Sequence, residues 1–255
     1  MRNIMAITAR EMRAYFVSPL AYAIIAVFLA VTGFFFYINV VNFSNICLQV
    51  GNNPAYLSQL NVNDFVMRQF FGTMAVIFLL MVPAITMRLI AEEKKTGTAE
   101  LLLTAPITTL ELVIGKFLGG FSVLLAMVIL ALLYPLILVL MAEPDIPPIL
   151  IGFVGMVMMG GAFVAIGLLF SSITENQVIA ALASFGTLLI LWVIHFPARW
   201  VGSSLGELLS YLSLIQHLED FGKGVLDTTH IIYYFSVIGI SLFLTQRVIE
   251  SRRWR

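Results

Sequence analysis

Residues 91–120, AEEKKTGTAELLLTAPITTLELVIGKFLGG, decide how this chain is read. They carry Glu92, Glu93, Lys94 and Lys95, then Thr96-Gly97-Thr98, then Glu100-Leu101-Leu102-Leu103. Gly97 permits a sharp turn, Thr98 can cap a helix, and Glu100 suits the positive end of that helix. Pro106 stops the run, and Ala105 before it is biased away from helix. Thr108 and Glu111 have capping-box spacing. The stretch therefore predicts a short amphipathic helix, a break, and a long apolar helix opening at Thr108. Leu101, Leu102 and Leu103 make an apolar patch rimmed by charge. Such a patch either meets a protein or dips into a headgroup layer.

The apolar helix belongs to a chain built almost wholly of such segments. Of 255 residues, 60% are apolar and 11% charged, against roughly half and a quarter in an ordinary soluble domain. Mean hydropathy is +1.00. A soluble fold could not hide that much apolar surface, so the chain reads as an all-α polytopic membrane protein. Zero net charge and the lack of a basic stripe give no reason to expect nucleic acid as a partner. The single cysteine, Cys47, can form no internal disulfide.

Working outward, six spans are expected at about 20–41, 65–90, 110–141, 149–172, 178–196 and 229–247, in one transmembrane domain covering 1–255. Pro83 should kink the second, and the third is longer than one crossing needs. Residues 2–17 read as a helix lying on the membrane surface. Ile4, Met5, Thr8, Met12, Tyr15 and Phe16 share one arc, with Arg2, Asn3, Arg10 and Arg13 opposite, a pattern that Ile7 and Glu11 interrupt. Thr174 and Gln177 have capping-box spacing before the fifth span. Between the fifth and sixth spans, two short helices are expected around Leu205–Leu214 and Ile215–Val225. They are either re-entrant or lie on the outer surface.

Lys and Arg set the orientation. With six spans, one side holds Arg2, Arg10, Arg13, Arg88, Lys94, Lys95, Lys116, Arg247, Arg252, Arg253 and Arg255, and the other only Arg68, Arg199 and Lys223. The positive-inside rule then puts both termini and the 91–120 stretch in the cytoplasm.

Little else in the chain suggests chemistry. Gly115-Lys116 resembles the end of a phosphate-binding loop, but Leu110 stands where the first glycine should be and Phe117 follows the lysine. The spans hold almost no ionisable group, as an ion-coupled carrier would need. His195 beside Trp192 reads as an interfacial histidine. His195, His217 and His230 lack ligand spacing. His217 with Glu219 and Asp220 is expected in a solvated outer loop. Gly161/Ala165, Ala180/Ser184 and Ala183/Thr187 have the spacing of close helix packing, within a subunit or at a dimer seam.

Met87-Arg88, Ala91-Glu92-Glu93, Thr96-Gly97-Thr98, Glu100-Leu101-Leu102, Pro106-Ile107 and Gly115-Lys116-Phe117 resemble the permease subunits of ABC-2-type transporters, most nearly the gliding-motility-type branch. The resemblance is densest here, and the order of segments agrees along the whole chain. It implies a permease, for export in most of the family, that hydrolyses no ATP itself. An ABC ATPase subunit carrying ATP and Mg would dock on a coupling helix in the 91–106 loop, on Glu92, Glu93, Thr96, Gly97, Thr98, Glu100, Leu101 and Leu102. It further implies a second permease copy or paralogue, a bacterial cytoplasmic membrane, and, in the gliding-type branch, an association with a subunit bearing an extracytoplasmic domain. No cofactor or metal is expected on the chain itself. The rival readings are an ion-coupled carrier or membrane-embedded enzyme, or a membrane anchor that transports nothing. An aliphatic and aromatic lining suits a lipid, a lipid-linked glycan, a drug or a peptide equally.

The orientation is testable by thiol labelling in a Cys47→Ser background. An impermeant reagent added to intact cells should modify Gly51→Cys and Ser203→Cys and leave Lys95→Cys untouched. Labelling of Lys95→Cys from outside would reverse the topology.

Overall fold

A computed structural model describes residues 2–51, 60–98, 107–142, 144–198 and 202–253, and every regular element among them is a helix. In chain order these are α1 (Arg2–Val17), α2 (Pro19–Val50), a π-helical turn (Asn63–Met67), α3 (Arg68–Thr86), α4 (Arg88–Lys95), α5 (Thr109–Ala131), α6 (Leu133–Ala142), α7 (Ile146–Ile173), α8 (Gln177–Val193), α9 (His195–Ala198), α10 (Ser203–Tyr211), α11 (Leu214–Gly222) and α12 (Thr228–Arg253). Among the described residues, six segments are long and apolar enough to cross a membrane: Ala21–Val50, Asn63–Lys95, Thr109–Leu140, Ile146–Ile173, Gln177–Pro197 and Thr228–Ser251. The chain is thus an all-α polytopic membrane protein. The expected helices between the fifth and sixth spans are α10 and α11.

Several boundaries differ from expectation, each for a local reason. The first span runs on to Val50, because Asn42–Val50 contains neither Gly nor Pro and the first breaker is Gly51. The third span divides at Leu132 into α5 and α6; Pro135 has no N–H to offer the Ala131 carbonyl. The fifth span is capped by Asn176, not Thr174. The Asn176 side chain accepts from the N–H groups of Val178 and Ile179 at 2.9 and 3.4 Å, while Thr174 Oγ1 accepts from the Asn176 N–H at 3.1 Å. The capping box at Thr108 forms as expected, with Glu111 N–H donating to Thr108 Oγ1 at 3.2 Å and Thr108 N–H to Glu111 Oε2 at 3.1 Å.

The bundle is built around α7. In its most apolar window 72% of the residues are buried, against 17% for the fifth span and 22% for the first and last. Asp145, Pro147 and Pro148 start it, prolines being suited to a first turn whose N–H groups need no partner within the helix. It packs against α3, α5, α8, α11 and α12. That many neighbours can crowd one helix because its small residues let them in. A Cβ on Gly152 would lie 2.2 Å from the Phe71 ring, and one on Gly160 2.5 Å from Leu124. Gly155 meets Phe221 at 2.6 Å, and Gly167 meets the Thr86 hydroxyl at 2.1 Å on the same construction. The glycines of α7 thus serve packing inside one subunit. Phe70, Phe71, Phe78 and Phe153 fill the core beside them. Phe71 and Phe153 meet edge to face at 5.3 Å.

Filling these contacts should destabilise the bundle by the overpacking penalty of about 1–3 kcal/mol. Gly152→Val should lower the thermal midpoint in detergent. Gly186→Ala, where nothing lies within 4 Å of the added carbon, should leave it unchanged or raise it slightly.

Candidate functional site

The site grows from the way α1 lies along the first turns of α5. On α1 the residues turned inward are Ile7, Glu11 and Tyr15, one every four positions. They include both residues that interrupt the apolar arc read from the sequence. Met5 from that arc is 70% exposed. The partner positions on α5 advance in step. The Asn3 amide donates to Glu111 Oε2 at 3.2 Å, Ile7 sits over Gly115, and Glu11 sits over Gly119. A Cβ on Gly115 would come within 2.7 Å of Ile7, and one on Gly119 within 2.5 Å of Glu11. Thr8 Oγ1 donates to the Gly115 carbonyl at 3.3 Å. The small residues bring the helices close enough for Lys116, which is 1% exposed, to reach across.

Lys116 Nζ donates to Glu11 Oε1 at 3.0 Å and lies 2.6 Å from Glu93 Oε1. Arg10 Nη2 closes the cluster, 3.0 Å from Glu11 Oε1 and 2.5 Å from Glu93 Oε1. Two acids and two bases sum to zero, so no uncompensated charge is buried. Glu11 and Glu93 are 11% and 17% exposed at the side chain, whereas Arg10 at 51% faces outward. The phosphate-loop reading of Gly115-Lys116 is excluded by the fold, since the lysine lies inside α5 with its amine between two carboxylates.

Glu93 belongs to α4, the cap of the second span. Between α3 and α4 the helix breaks at Met87, four residues after Pro83. Ser171 of α7 serves the break. Its Oγ accepts from the N–H groups of Ile90 and Ala91, both at 3.0 Å, and donates to the Met87 carbonyl at 2.9 Å. These are N–H groups that a helix start leaves without an internal partner. Tyr15 Oη donates to the Ile85 carbonyl at 2.7 Å. Burial pushes the Tyr15 phenol well above its ordinary range, so it stays a donor. The Arg88 guanidinium lies 4.3 Å over the Tyr15 ring. Lys94 Nζ donates to the Ser172 carbonyl.

Beyond α4 the chain turns. Gly97 has φ +73°, the left-handed region that glycine enters at least cost, and among the described residues nothing lies within 4 Å of its would-be Cβ. Thr96 Oγ1 donates to the Glu92 carbonyl at 2.9 Å, and Thr98 Oγ1 to the Glu93 carbonyl at 3.3 Å. Glu92, Lys95, Thr96, Gly97 and Thr98 are exposed, and Glu93 and Lys94 are half-buried. Glu100, Leu101 and Leu102 lie outside the described residues, as does the rest of the expected short helix. An open cavity of about 370 Å³ separates α1 from the turn, lined by Arg10, Tyr15, Arg88, Glu92 and Thr98 among others.

At the opposite end of the bundle, His217 is 4% exposed rather than solvated. Among the described residues no His, Cys, Asp and Glu side chains gather as a metal site. His195 lies at the end of the fifth span, its Nδ1 2.8 Å from the Trp192 carbonyl.

A family model of ABC-2 family transporter proteins matches residues 5–242, nearly the whole chain and both ends of the site just described. The chain belongs to the ABC-2 transporter family. It is therefore a transmembrane permease subunit of an ABC transporter, a translocating component and not itself an enzyme. Membership also implies an ABC ATPase as a partner in general terms. No curated protein matches the chain.

The exposed turn is legible in the sequence, and what holds it is not. Glu11 and Lys116 were each legible as lone charges in apolar surroundings. Their spacing from Ile7 and Gly115, four and one residues, was available too. Which acid meets which base depends on two helices a hundred residues apart.

Removing one partner of a buried pair leaves the others uncompensated, at a cost of about 3–5 kcal/mol. Lys116→Met should lower the thermal midpoint markedly, and Lys116→Met with Glu11→Leu and Glu93→Gln should recover much of the loss. Arg10→Ala, removing the exposed member, should cost far less.

Proposed function

We propose that the ATPase subunit docks on the exposed edge formed by Glu92 and the 95–98 turn, together with residues 99–106, and drives export through this permease. The observation that supports the reading is that, among the described residues, the turn is exposed at its tip and fixed at its base. Glu93 is tied to α1 and α5 through Arg10, Glu11 and Lys116, and Lys94 and the start of α4 to α7 through Ser172 and Ser171. A load applied at the tip would pass into three helices rather than be absorbed by a flexible loop. ATP and Mg would reside on the partner. Its closure would push the turn, tilt the second and third spans, and open a path between two permease subunits.

On this reading the docking edge and both termini face the cytoplasm, in agreement with the Lys/Arg asymmetry. The division of labour within the turn also becomes specific. Glu92, Thr96, Thr98, Glu100, Leu101 and Leu102 would meet the partner, Gly97 would shape the turn, and Glu93 would act inward. The resemblance to the gliding-type branch adds a subunit with an extracytoplasmic domain as a further partner.

The test measures membrane level, ATPase co-purification and transport together. Leu102→Asp and Gly97→Val should keep normal levels and lose co-purification, since the first puts a charge into the apolar patch and the second forces a side chain into a left-handed turn. Glu93→Gln should keep the ATPase bound and uncouple its hydrolysis from transport. Normal co-purification and transport in all three would reduce the loop to a solvated turn.

A further inference from the structure

The end of the bundle away from Lys116 holds a second polar cluster that docking does not use. Arg68, whose side chain meets Glu219 of α11 at 3.7 Å, and Glu93 are 25 residues apart along the second span, about 37 Å at 1.5 Å per residue. Here α11 and the first turn of α12 are joined through two imidazoles. His217 Nδ1 and His230 Nδ1 are 2.7 Å apart. His217 Nε2 is 2.8 Å from the Tyr211 carbonyl oxygen, and His230 Nε2 is 3.0 Å from Asp220 Oδ2.

Counting hydrogens fixes the state of the pair. The two outer nitrogens both face acceptors, a carbonyl and a carboxylate, so each must carry a hydrogen. Asp220 is kept ionised by Lys223 Nζ, 2.7 Å from its Oδ1; the Lys223 hydrogen bond, ahead of His230, holds that carboxyl below its usual range. The inner Nδ1–Nδ1 contact needs one hydrogen, and only one fits at 2.7 Å. Three hydrogens on two rings make one imidazole and one imidazolium. Two neutral rings would leave a lone pair against an acceptor, and two imidazolium rings would set two N–H groups against each other.

We infer that His217 and His230 form a one-proton site that latches the α10–α11 hairpin to the last span and opens when a second proton binds. The closed latch is buttressed on all sides. The Tyr233 ring stacks on His217 at 3.9 Å, and Tyr211 meets it edge-on at 5.2 Å. Tyr233 and Tyr234 donate to the Leu212 and Leu214 carbonyls at 2.7 and 2.8 Å. The charged and titratable groups around the pair are Asp220, Lys223, Asp227, the Arg68–Glu219 pair on the second span, and His195, which is reached through Ser213. The face that α7 turns to α11 is apolar there, with Gly155 under Phe221 and Leu218.

The sign of the pH effect follows. Burial first, then the charge of His230, lowers the proton affinity of His217 below the ordinary histidine value. A base whose affinity is depressed in the closed state binds its proton more readily when open. Closure is therefore greatest while the pair holds its three hydrogens: it is lost as pH falls below the ordinary histidine value and the second proton binds, and also at higher pH once the shared proton leaves. On the orientation proposed above, this end meets the extracytoplasmic medium; only that placement rests on the docking reading.

The chain has three histidines, so imidazole-¹⁵N labelling of the full-length protein in lipid nanodiscs resolves each ring, with His217→Gln and His230→Gln for assignment. A titration from pH 9 to 5 should pass through a plateau where one ring is neutral with its hydrogen on Nε2 and the other is doubly protonated. Amide protection of residues 214–222, corrected for the intrinsic pH dependence of exchange, should be greatest on that plateau and drop as the second proton binds. In His217→Gln, whose amide can satisfy both neighbours without titrating, the acid loss of protection should disappear. Two independent titrations with no three-hydrogen plateau would overturn the inference, as would protection that ignores the second proton or an unchanged acid response in His217→Gln. The wild-type titration decides alone if either variant fails to fold.

Discussion

A buried lysine with two carboxylates around it sets the geometry of the charged face. Lys116 cannot sit 1% exposed without compensation, because an ammonium taken out of water costs several kcal/mol unless paired. Its partners come from far apart in the chain, Glu11 from the N-terminal helix and Glu93 from the end of the second span. Satisfying one amine therefore holds three segments in a single arrangement. The glycines at 115 and 119 are the precondition. With side chains there, α1 could not approach closely enough for Glu11 to arrive.

The interior of the bundle follows a different rule. The acidic and basic side chains buried among the described residues, Glu11, Lys116 and His217, sit at its two ends. Between them the buried polar side chains include hydroxyls that satisfy themselves. Thr32, Thr86, Ser184 and Thr245 each donate to the carbonyl four residues earlier in their own helix, at 2.6–2.9 Å. That leaves packing to hold the middle, and α7 supplies it by presenting glycines to bulky neighbours. The midsection is thus held by close contact of small residues with bulky ones, and the bonded groups are kept to the ends.

The two ends are bonded differently. The Lys116 cluster pairs two acids with two bases drawn from three segments, and so ties them at one point. The His217–His230 pair is held by a hydrogen count that one added proton upsets. On the readings proposed above, one end transmits and the other responds.

Composition and hydropathy determined that this is a six-span helical membrane protein, because the apolar surface admits no other solution. The capping box at Thr108 and the sharp turn at Gly97 were legible for a related reason: both depend on residues within four positions of each other. Helix ends where local signals compete, as at Leu132 near Pro135 and at Asn176 beside Thr174, were less so. What only the tertiary structure decided is which side chains meet across the bundle. Ile7 and Glu11 look like faults in an amphipathic helix until α5 is laid against them. Glu93 looks like a surface acid until Lys116 reaches it, and His217 looks solvated until α12 covers it. A local pattern reports the backbone's own preferences. Pairing between residues a hundred positions apart depends on how closely two helices can approach, which the small residues allow but do not by themselves specify.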